Sequence, residues 1–150
     1  MKYIHHIYLS VFAKEEENKE EIAEALNRLI PETTTEKDKI KIEEEIVKID
    51  EYTKMSIFRV QISKDKYTKK AIEIIKEHLS EEDQTKILEQ KNRVDEEGNL
   101  YLRFDKTKLI EKEELILTDG GDCFHMKIQI AAYPKTKAKA EAVVETLFQK

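Results

Sequence analysis

The sequence predicts one α+β domain over residues 1–150, with a curved, mainly antiparallel sheet and helices packed on one face. Five segments alternate apolar and polar side chains, which is the period of a half-buried strand. Between them lie segments whose apolar residues recur at helical spacing. The 150 residues contain no internal repeat or low-complexity linker, and this length can bury a real core.

The first strand and helix are predicted from residues 2–31. Residues 2–13 are rich in β-branched and aromatic side chains, which favours a strand. One face of it carries Tyr3, His5, Ile7, Leu9 and Val11, and the other carries Ile4, His6, Tyr8, Ser10 and Phe12. A helix follows, because the acidic run at residues 15–17 suits the positive end of a helix dipole, and Pro31 ends it.

The middle of the chain predicts two more strands and two more helices. Residues 40–50 indicate a charged strand, although their glutamates also permit a helix. Residues 55–63 predict a strand with Phe58, Val60 and Ile62 facing the core. A helix is expected over residues 66–79, capped by Ser63 or Asp65, and a shorter one follows over residues 81–91.

The last third of the chain predicts two strands and a final helix. The strands span residues 100–104 and 123–132, and their inward side chains are Leu100, Leu102, Phe104, Phe124, Met126, Ile128 and Ile130. Between the strands, residues 105–108 begin a turn or short helix, and residues 119–122 (DGGD) form a tight turn. Residues 135–148 predict the last helix, which begins just after Pro134.

Composition excludes several classes of protein. One cysteine rules out an internal disulfide and a multi-cysteine zinc site. No apolar run approaches the length of a membrane span, and the opening segment lacks a signal-peptide cleavage site, so a cytoplasmic protein is expected. The net charge of -5 is small, but residues 15–51 are mainly acidic and residues 54–76 mainly basic. Such asymmetry is able to steer a polyanion.

Two candidate pairs for catalysis or metal binding are disfavoured by strand geometry. His5 and His6 are adjacent on a strand and point to opposite faces, so they do not share a metal ion unaided. Cys123 and His125 share a face, but neighbours two apart on a strand are separated by about 7 Å. That separation is too long for a direct thiol–imidazole dyad.

Carboxylates around the Gly-Gly turn leave a metal-dependent nuclease as a lesser alternative. The residue types that bind divalent cations occur there as Asp105, Asp119, Asp122 and His125. The favoured interpretation is a turn whose aspartates bind nearby backbone amides. The sequence therefore predicts no catalytic residue, no cofactor and no metal ligand.

The strongest functional signal is a surface. Basic and aromatic side chains recur on the polar face of the predicted strands, and lysines begin the last helix, where backbone amides also favour phosphate. Aromatic rings and guanidinium groups beside lysines stack on bases and contact phosphates of single-stranded RNA. The predicted RNA-binding residues are Arg59, Tyr101, Arg103, His125, Lys127, Lys135 and Lys137. An ordinary half-exposed sheet is an equal alternative on the residues alone.

Two long blocks of the sequence resemble an archaeal family of RNA-binding proteins that are predicted exosome subunits. The blocks are HHIYLSVFAKEEENKEEIAEALNRLIP and LYLRFDKTKLIEKEELILTDGGDCFHMKIQIAAYPKTKAKAEAVVETLF, and the resemblance is strongest over residues 100–134. It implies an α+β fold similar to that of the large-subunit ribosomal protein that binds 5S RNA. The family supplies no catalytic residues to transfer.

The resemblance and the surface together predict a non-catalytic RNA-binding protein that works in RNA processing, decay or ribosome-related tasks. RNA is the expected partner, together with exosome or other RNA-processing proteins. The alternative is a protein-interaction adaptor or homodimeric scaffold that uses the acidic segment at residues 15–51 or an open edge strand.

Overall fold

The computed structural model describes residues 2–149, which form five strands, five α-helices and two short 3-10 turns. In chain order the elements are β1 (Ile4–Lys14), α1 (Lys19–Asn27), β2 (Glu43–Lys48), β3 (Lys54–Ile62), α2 (Asp65–His78), α3 (Glu81–Glu89), β4 (Asn99–Asp105), α4 (Lys106–Lys112), β5 (Cys123–Ile130) and α5 (Lys137–Phe148). The 3-10 turns span Glu36–Asp38 and Lys91–Arg93. The ambiguous segment at residues 40–50 therefore forms a strand rather than a helix.

The five strands form one antiparallel sheet in the order β2-β3-β1-β5-β4. The first strand lies at the centre, because both β3 and β5 pair with it. The outer edge of β4 is covered by the segment after α4: Asp105 N–H donates to Ile116 O and Thr118 N–H donates to Arg103 O, each at 2.8 Å. The predicted α+β class with an antiparallel sheet is confirmed.

The core lies between the sheet and its helices. The inward side chains predicted for β3, β4 and β5 are all buried, as the alternation indicated. Helices α1 to α5 each contribute buried residues to the same cluster, including Leu26, Ile75, Ile87, Leu109 and Val144. The helices thus cover one face of the sheet, and the polar parity of the strands is left on the other side, here called the open face.

The first strand departs from simple alternation near its start. A β-bulge between Ile4 and His6 shifts the pairing with β5 by one residue. As a result Ile4 and Ile7 are both buried, at 2% and 0% exposure. The prediction that Tyr3 and His5 share the buried face of Ile7 is therefore wrong, whereas the alternation predicted from Ile7 to Ala13 is correct.

Helix ends are set by side-chain caps. The Asn18 carboxamide accepts the N–H groups of Glu20 and Glu21, so α1 begins at Lys19. Helix α2 begins after Lys64 without a side-chain cap, and the prediction of Ser63 or Asp65 was wrong. Thr136 Oγ1 accepts the Lys139 N–H, so α5 begins two residues later than predicted. Within residues 2–149, no helix has the length and apolarity to cross a membrane.

Candidate nucleic-acid interface

The strand register brings five of the seven predicted RNA-binding residues together on the open face. In one row across the sheet, Tyr101 pairs with Lys127, and Lys127 pairs with Tyr8 of β1. In the next row, Arg103 pairs with His125, His125 pairs with Ser10, and Ser10 pairs with Arg59. Cross-strand neighbours on one face have Cβ atoms about 5 Å apart, so these side chains form a continuous surface.

These two rows form a shallow cavity of about 530 Å³, here called the central depression. Its outward side chains come from four strands: Tyr8, Ser10, Phe12, Arg59, Tyr101, Arg103, His125 and Lys127. Most of them are half-buried, and Phe12 and Arg59 are exposed. A concave surface of this size with polar groups on its walls suits part of an extended ligand rather than an enclosed small molecule.

Aromatic rings and cations are interleaved in the depression. Lys127 Nζ lies 5.7 Å from the centroid of the Tyr8 ring, within the range of a cation–π contact. The rings of Phe12 and His125 meet edge to face, with centroids 6.3 Å apart. Flat side chains of this kind are able to stack on bases, and the lysine beside them is able to reach a phosphate.

Two cations that line the central depression have no acidic partner among residues 2–149. Among residues 2–149, neither Arg103 nor Lys127 forms an ion pair, although the chain makes many elsewhere. Arg59 differs, because it forms an ion pair with Glu45 on the neighbouring edge strand. Unpaired cations on a half-buried face are available to neutralise an anion from outside the chain.

Tyr101 is held in place by an acidic loop residue. Its hydroxyl donates to Asp95 Oδ2 at 3.0 Å. Burial of the phenol, assisted by Asp95, raises the pKa of Tyr101 above its ordinary value. The carboxylate also accepts the Asn99 N–H, so the ring is fixed against the start of β4. A ring fixed in advance loses less side-chain entropy when a ligand binds to it.

The expectation that Cys123 and His125 are too far apart for contact is wrong. Cys123 Sγ lies 3.6 Å from His125 Nε2, because the side chains lean toward each other even though the residues are two apart on the strand. Burial raises the pKa of the Cys123 thiol, and burial together with Arg103 lowers the pKa of His125. These shifts favour a neutral thiol and a neutral imidazole, which is not the charge state of an activated nucleophile.

The two remaining predicted residues lie apart from the central depression. Lys135 lies in the loop after β5, and Lys137 is the first residue of α5. Burial is the main cause that lowers the pKa of His5 at the bulge, and the charge of Lys135 contributes in the same direction. The His5 ring also meets Tyr133 edge to face at 6.2 Å. A ligand reaching both groups of residues would extend along β1 and β5.

The carboxylates of the nuclease alternative each have their own protein partner. Asp119 accepts from Arg93 Nη2 at 3.0 Å, and Asp122 accepts from the buried Lys106 at 3.1 Å. Asp105 accepts the Lys108 N–H and caps α4. In the part of the chain from residue 2 to residue 149, no three His, Cys, Asp or Glu side chains cluster as metal ligands would. The aspartates are therefore occupied by separate contacts rather than gathered into one site.

The predicted set of RNA-binding residues did not include Phe12. Phe12 lies on the outward parity of β1 and remains 38% exposed. A phenylalanine on the polar face of a predicted strand indicates an exposed apolar side chain, so the sequence alone could have indicated Phe12 as part of the surface.

An open antiparallel sheet with unpaired cations among exposed rings is typical of a nucleic-acid-binding domain. The chain belongs to the RNA-binding family, whose model, described as RNA binding, matches residues 6–130. An RNA-binding protein of Pyrococcus abyssi is 33% identical over 146 residues, which cover 95% of this chain and 90% of the relative.

Solved structures show the same fold. A protein from Archaeoglobus fulgidus is 26% identical, with a TM-score of 0.81 over 96% of this chain and 99% of its own. A protein from Methanothermobacter thermautotrophicus is 24% identical, with a TM-score of 0.77 over 98% of this chain and 99% of its own. Both belong to the protein family DUF54. The likeness to the 5S-RNA-binding ribosomal protein stays a prediction.

Proposed function

We propose that this protein is a non-catalytic RNA-binding protein and that the central depression on its open sheet face contacts the RNA. The observation that carries the proposal is the position of Arg103 and Lys127, two cations without acidic partners among residues 2–149, between the rings of Tyr8, Tyr101 and His125. In this arrangement the cations contact phosphates and the rings stack on bases. Membership of the RNA-binding family supports the choice of nucleic acid.

The test is charge reversal of two cations in the central depression. Arg103→Glu with Lys127→Glu is expected to weaken RNA binding by at least about tenfold, because two phosphate contacts become repulsive. Filter binding of single-stranded and structured RNA over a salt series measures the effect. The matched control is Lys69→Glu with Lys112→Glu, which changes the net charge equally on exposed helical positions. Equal losses in both variants would show that only net charge matters, and no loss would remove the proposed face.

The cellular role that we propose is RNA processing or decay in association with the exosome, or a ribosome-related task. This part rests on the family resemblance of the sequence and not on the geometry. Purification of the protein from archaeal cells, with and without nuclease treatment, tests it. Co-purification of exosome or ribosomal proteins that survives nuclease treatment supports a direct link, and their loss after nuclease treatment indicates a link through RNA.

A homodimer or protein adaptor is the second candidate, and the free edge of the sheet favours it. Among residues 2–149, the edge strand β2 pairs with β3 alone and exposes Ile46 at 62%. The turn that follows it exposes Ile49 and Tyr52, at 56% and 87%. An edge strand with exposed apolar side chains is able to pair with another chain. Sedimentation over a range of protein concentrations tests self-association, and a monomer at all concentrations contradicts it.

The nuclease alternative is tested by incubating labelled RNA with the protein and magnesium or manganese. We expect intact RNA, because Asp105, Asp119 and Asp122 are engaged with three different partners. Metal-dependent cleavage that is lost in Asp122→Asn would reverse this conclusion.

A further inference from the structure

A second cavity lies beside the central depression, and the sequence did not point to it. It measures about 360 Å³ and is formed where the segment before β2 packs on the end of β3. It is here called the basic pocket, because five cations line it against two acids: Lys37, Lys39, Lys41, Arg59 and Lys64, with Asp38 and Glu43. Arg59 lines both the basic pocket and the central depression, so the two cavities adjoin.

The fold uses the charge of Asp38 to shape this segment. The Asp38 carboxylate forms ion pairs with Lys64 and Lys66, and Tyr67 donates its hydroxyl to it at 3.2 Å. The hydrogen bond from Lys64 is the main cause that lowers the pKa of Asp38. The Thr34 N–H in turn donates to the Tyr67 hydroxyl at 3.1 Å. Asp38 is thus neutralised from within the chain, whereas Glu43, the second acid of the pocket, forms no ion pair among residues 2–149.

Among residues 2–149, the lysines on either side of Asp38 have no close ion pair of this kind. Among residues 2–149, Lys37 and Lys41 form no ion pair, and Lys39 reaches only the exposed Glu36, at 3.9 Å. All three side chains are exposed. A concave surface with unpaired lysines suits phosphate groups, to which each lysine presents a point charge.

We propose that the basic pocket binds the phosphate backbone of the same RNA strand that lies on the central depression. This inference rests on the proposed function. From Arg103 on β4 to Arg59 on β3 the path crosses three strand spacings, about 14 Å. The strand therefore runs across the sheet from β4 toward β3, with its bases on the depression, and its backbone continues past Arg59 into the pocket. The ligand is single-stranded RNA, because a duplex hides the bases that the rings contact.

The experiment compares a short and a long single-stranded oligouridylate, of about four and about ten nucleotides, within the range that one small domain covers. The wild-type protein is expected to bind the long RNA more tightly. Lys37→Ala with Lys41→Ala is expected to remove that gain and to leave the affinity for the short RNA unchanged. The variant should also reduce the slope of log K against log salt for the long RNA by about 1.4, or 0.7 for each lost phosphate contact.

The matched control is Lys69→Ala with Lys112→Ala, which removes the same charge from exposed positions on α2 and α4. The inference is overturned if the long RNA gains nothing in the wild type, if the pocket variant keeps the gain, or if the control loses it equally. If one of these outcomes is seen but the wild type still binds the short RNA in a salt-sensitive way, only the inference about the basic pocket has failed. When neither RNA binds in this way, the proposed function has failed as well.

Discussion

At the scale of single residues, Lys106 is the most deeply buried cation among residues 2–149. Its side chain is 4% exposed, and Nζ donates to Phe12 O at 2.7 Å and to Glu17 at 3.0 Å. It also donates to both oxygens of Asp122. One ammonium thus joins the end of β1, the loop before α1 and the Gly-Gly turn. The aspartate that resembled a metal ligand in the sequence is part of this contact.

Lys106→Met is expected to destabilise the protein by about 2–3 kcal/mol, because it keeps most of the apolar chain but removes the buried ammonium that donates to a carbonyl and two carboxylates. The control is Lys14→Met. Lys14 also pairs with Asp122, but at 3.8 Å and with 55% exposure, so its loss is expected to cost no more than about 1 kcal/mol. Urea unfolding measures both. Equal effects would contradict the assigned role of Lys106.

His125 links stability to pH. Burial and the neighbouring Arg103 lower its pKa in the folded protein, whereas Asp122 acts in the opposite direction. Below the ordinary histidine pKa of about 6.5, the unfolded chain therefore binds more protons than the folded one. Stability should fall as the pH decreases through that value. His125→Gln should reduce this fall, as measured by urea unfolding at about pH 7.5 and about pH 5.5. His5 has a lowered pKa as well, so part of the fall should remain.

At the same scale, the sequence predicted which residues lie on the open face better than it predicted the contacts between them. Parity placed Tyr101, Arg103, His125 and Lys127 on one side of their strands, because strand alternation is regular where no bulge intervenes. Strand rise alone did not give the 3.6 Å contact between Cys123 and His125, which depends on side-chain rotamers. The partners of Asp119 and Asp122 come from distant parts of the chain and leave no local pattern.

At the scale of elements, the strands with clear alternation, β3, β4 and β5, were predicted to within two residues at each end. The exceptions have physical causes. The bulge in β1 depends on pairing with β5, and the sequence of β1 alone does not contain it. The strand β2 was ambiguous because both of its faces are largely exposed, so burial does not enforce alternation.

The cap of α1 gives an element-scale prediction. Asn18→Ala removes the acceptor for the N–H groups of Glu20 and Glu21 and is expected to cost about 1 kcal/mol. Asn18→Asp keeps that acceptor and adds a negative charge at the positive end of the helix, so it should retain the stability. Thermal unfolding of the two variants checks the difference. A cost for Asn18→Asp as large as that for Asn18→Ala would show that the cap does not act through its side-chain oxygen.

At the scale of the whole molecule, the helices shield one side of the sheet, and the other side is the open face. The uneven charge along the sequence did not predict this division, because the acidic block and the basic block each supply both a helix and a strand. The basic pocket was not predicted. Three of its lysines, Lys37, Lys39 and Lys41, lie in the polar connection at residues 32–42. They line a concave surface because that connection packs on β3.

The salt dependence of RNA binding gives a whole-molecule prediction for the central depression. If Arg59, Arg103 and Lys127 each contact one phosphate, log K for a short single strand should fall with log salt at a slope of about -2. Filter binding over a salt series measures this slope. A slope near zero would mean that the affinity does not come from phosphate contacts.

The ion pair between Arg59 and Glu45 has a consequence for selectivity. Glu45 is held on the adjacent strand and acts as an internal competitor for the guanidinium, at an effective concentration on the order of millimolar. An isolated phosphate ion must displace it alone, whereas a phosphate within a bound strand is itself tethered and competes on equal terms. Because both side chains are more than half exposed, we expect this competition to form only a small threshold against small anions, of no more than about 1 kcal/mol. Glu45→Gln should lower this threshold and raise the affinity for inorganic pyrophosphate, as measured by calorimetry.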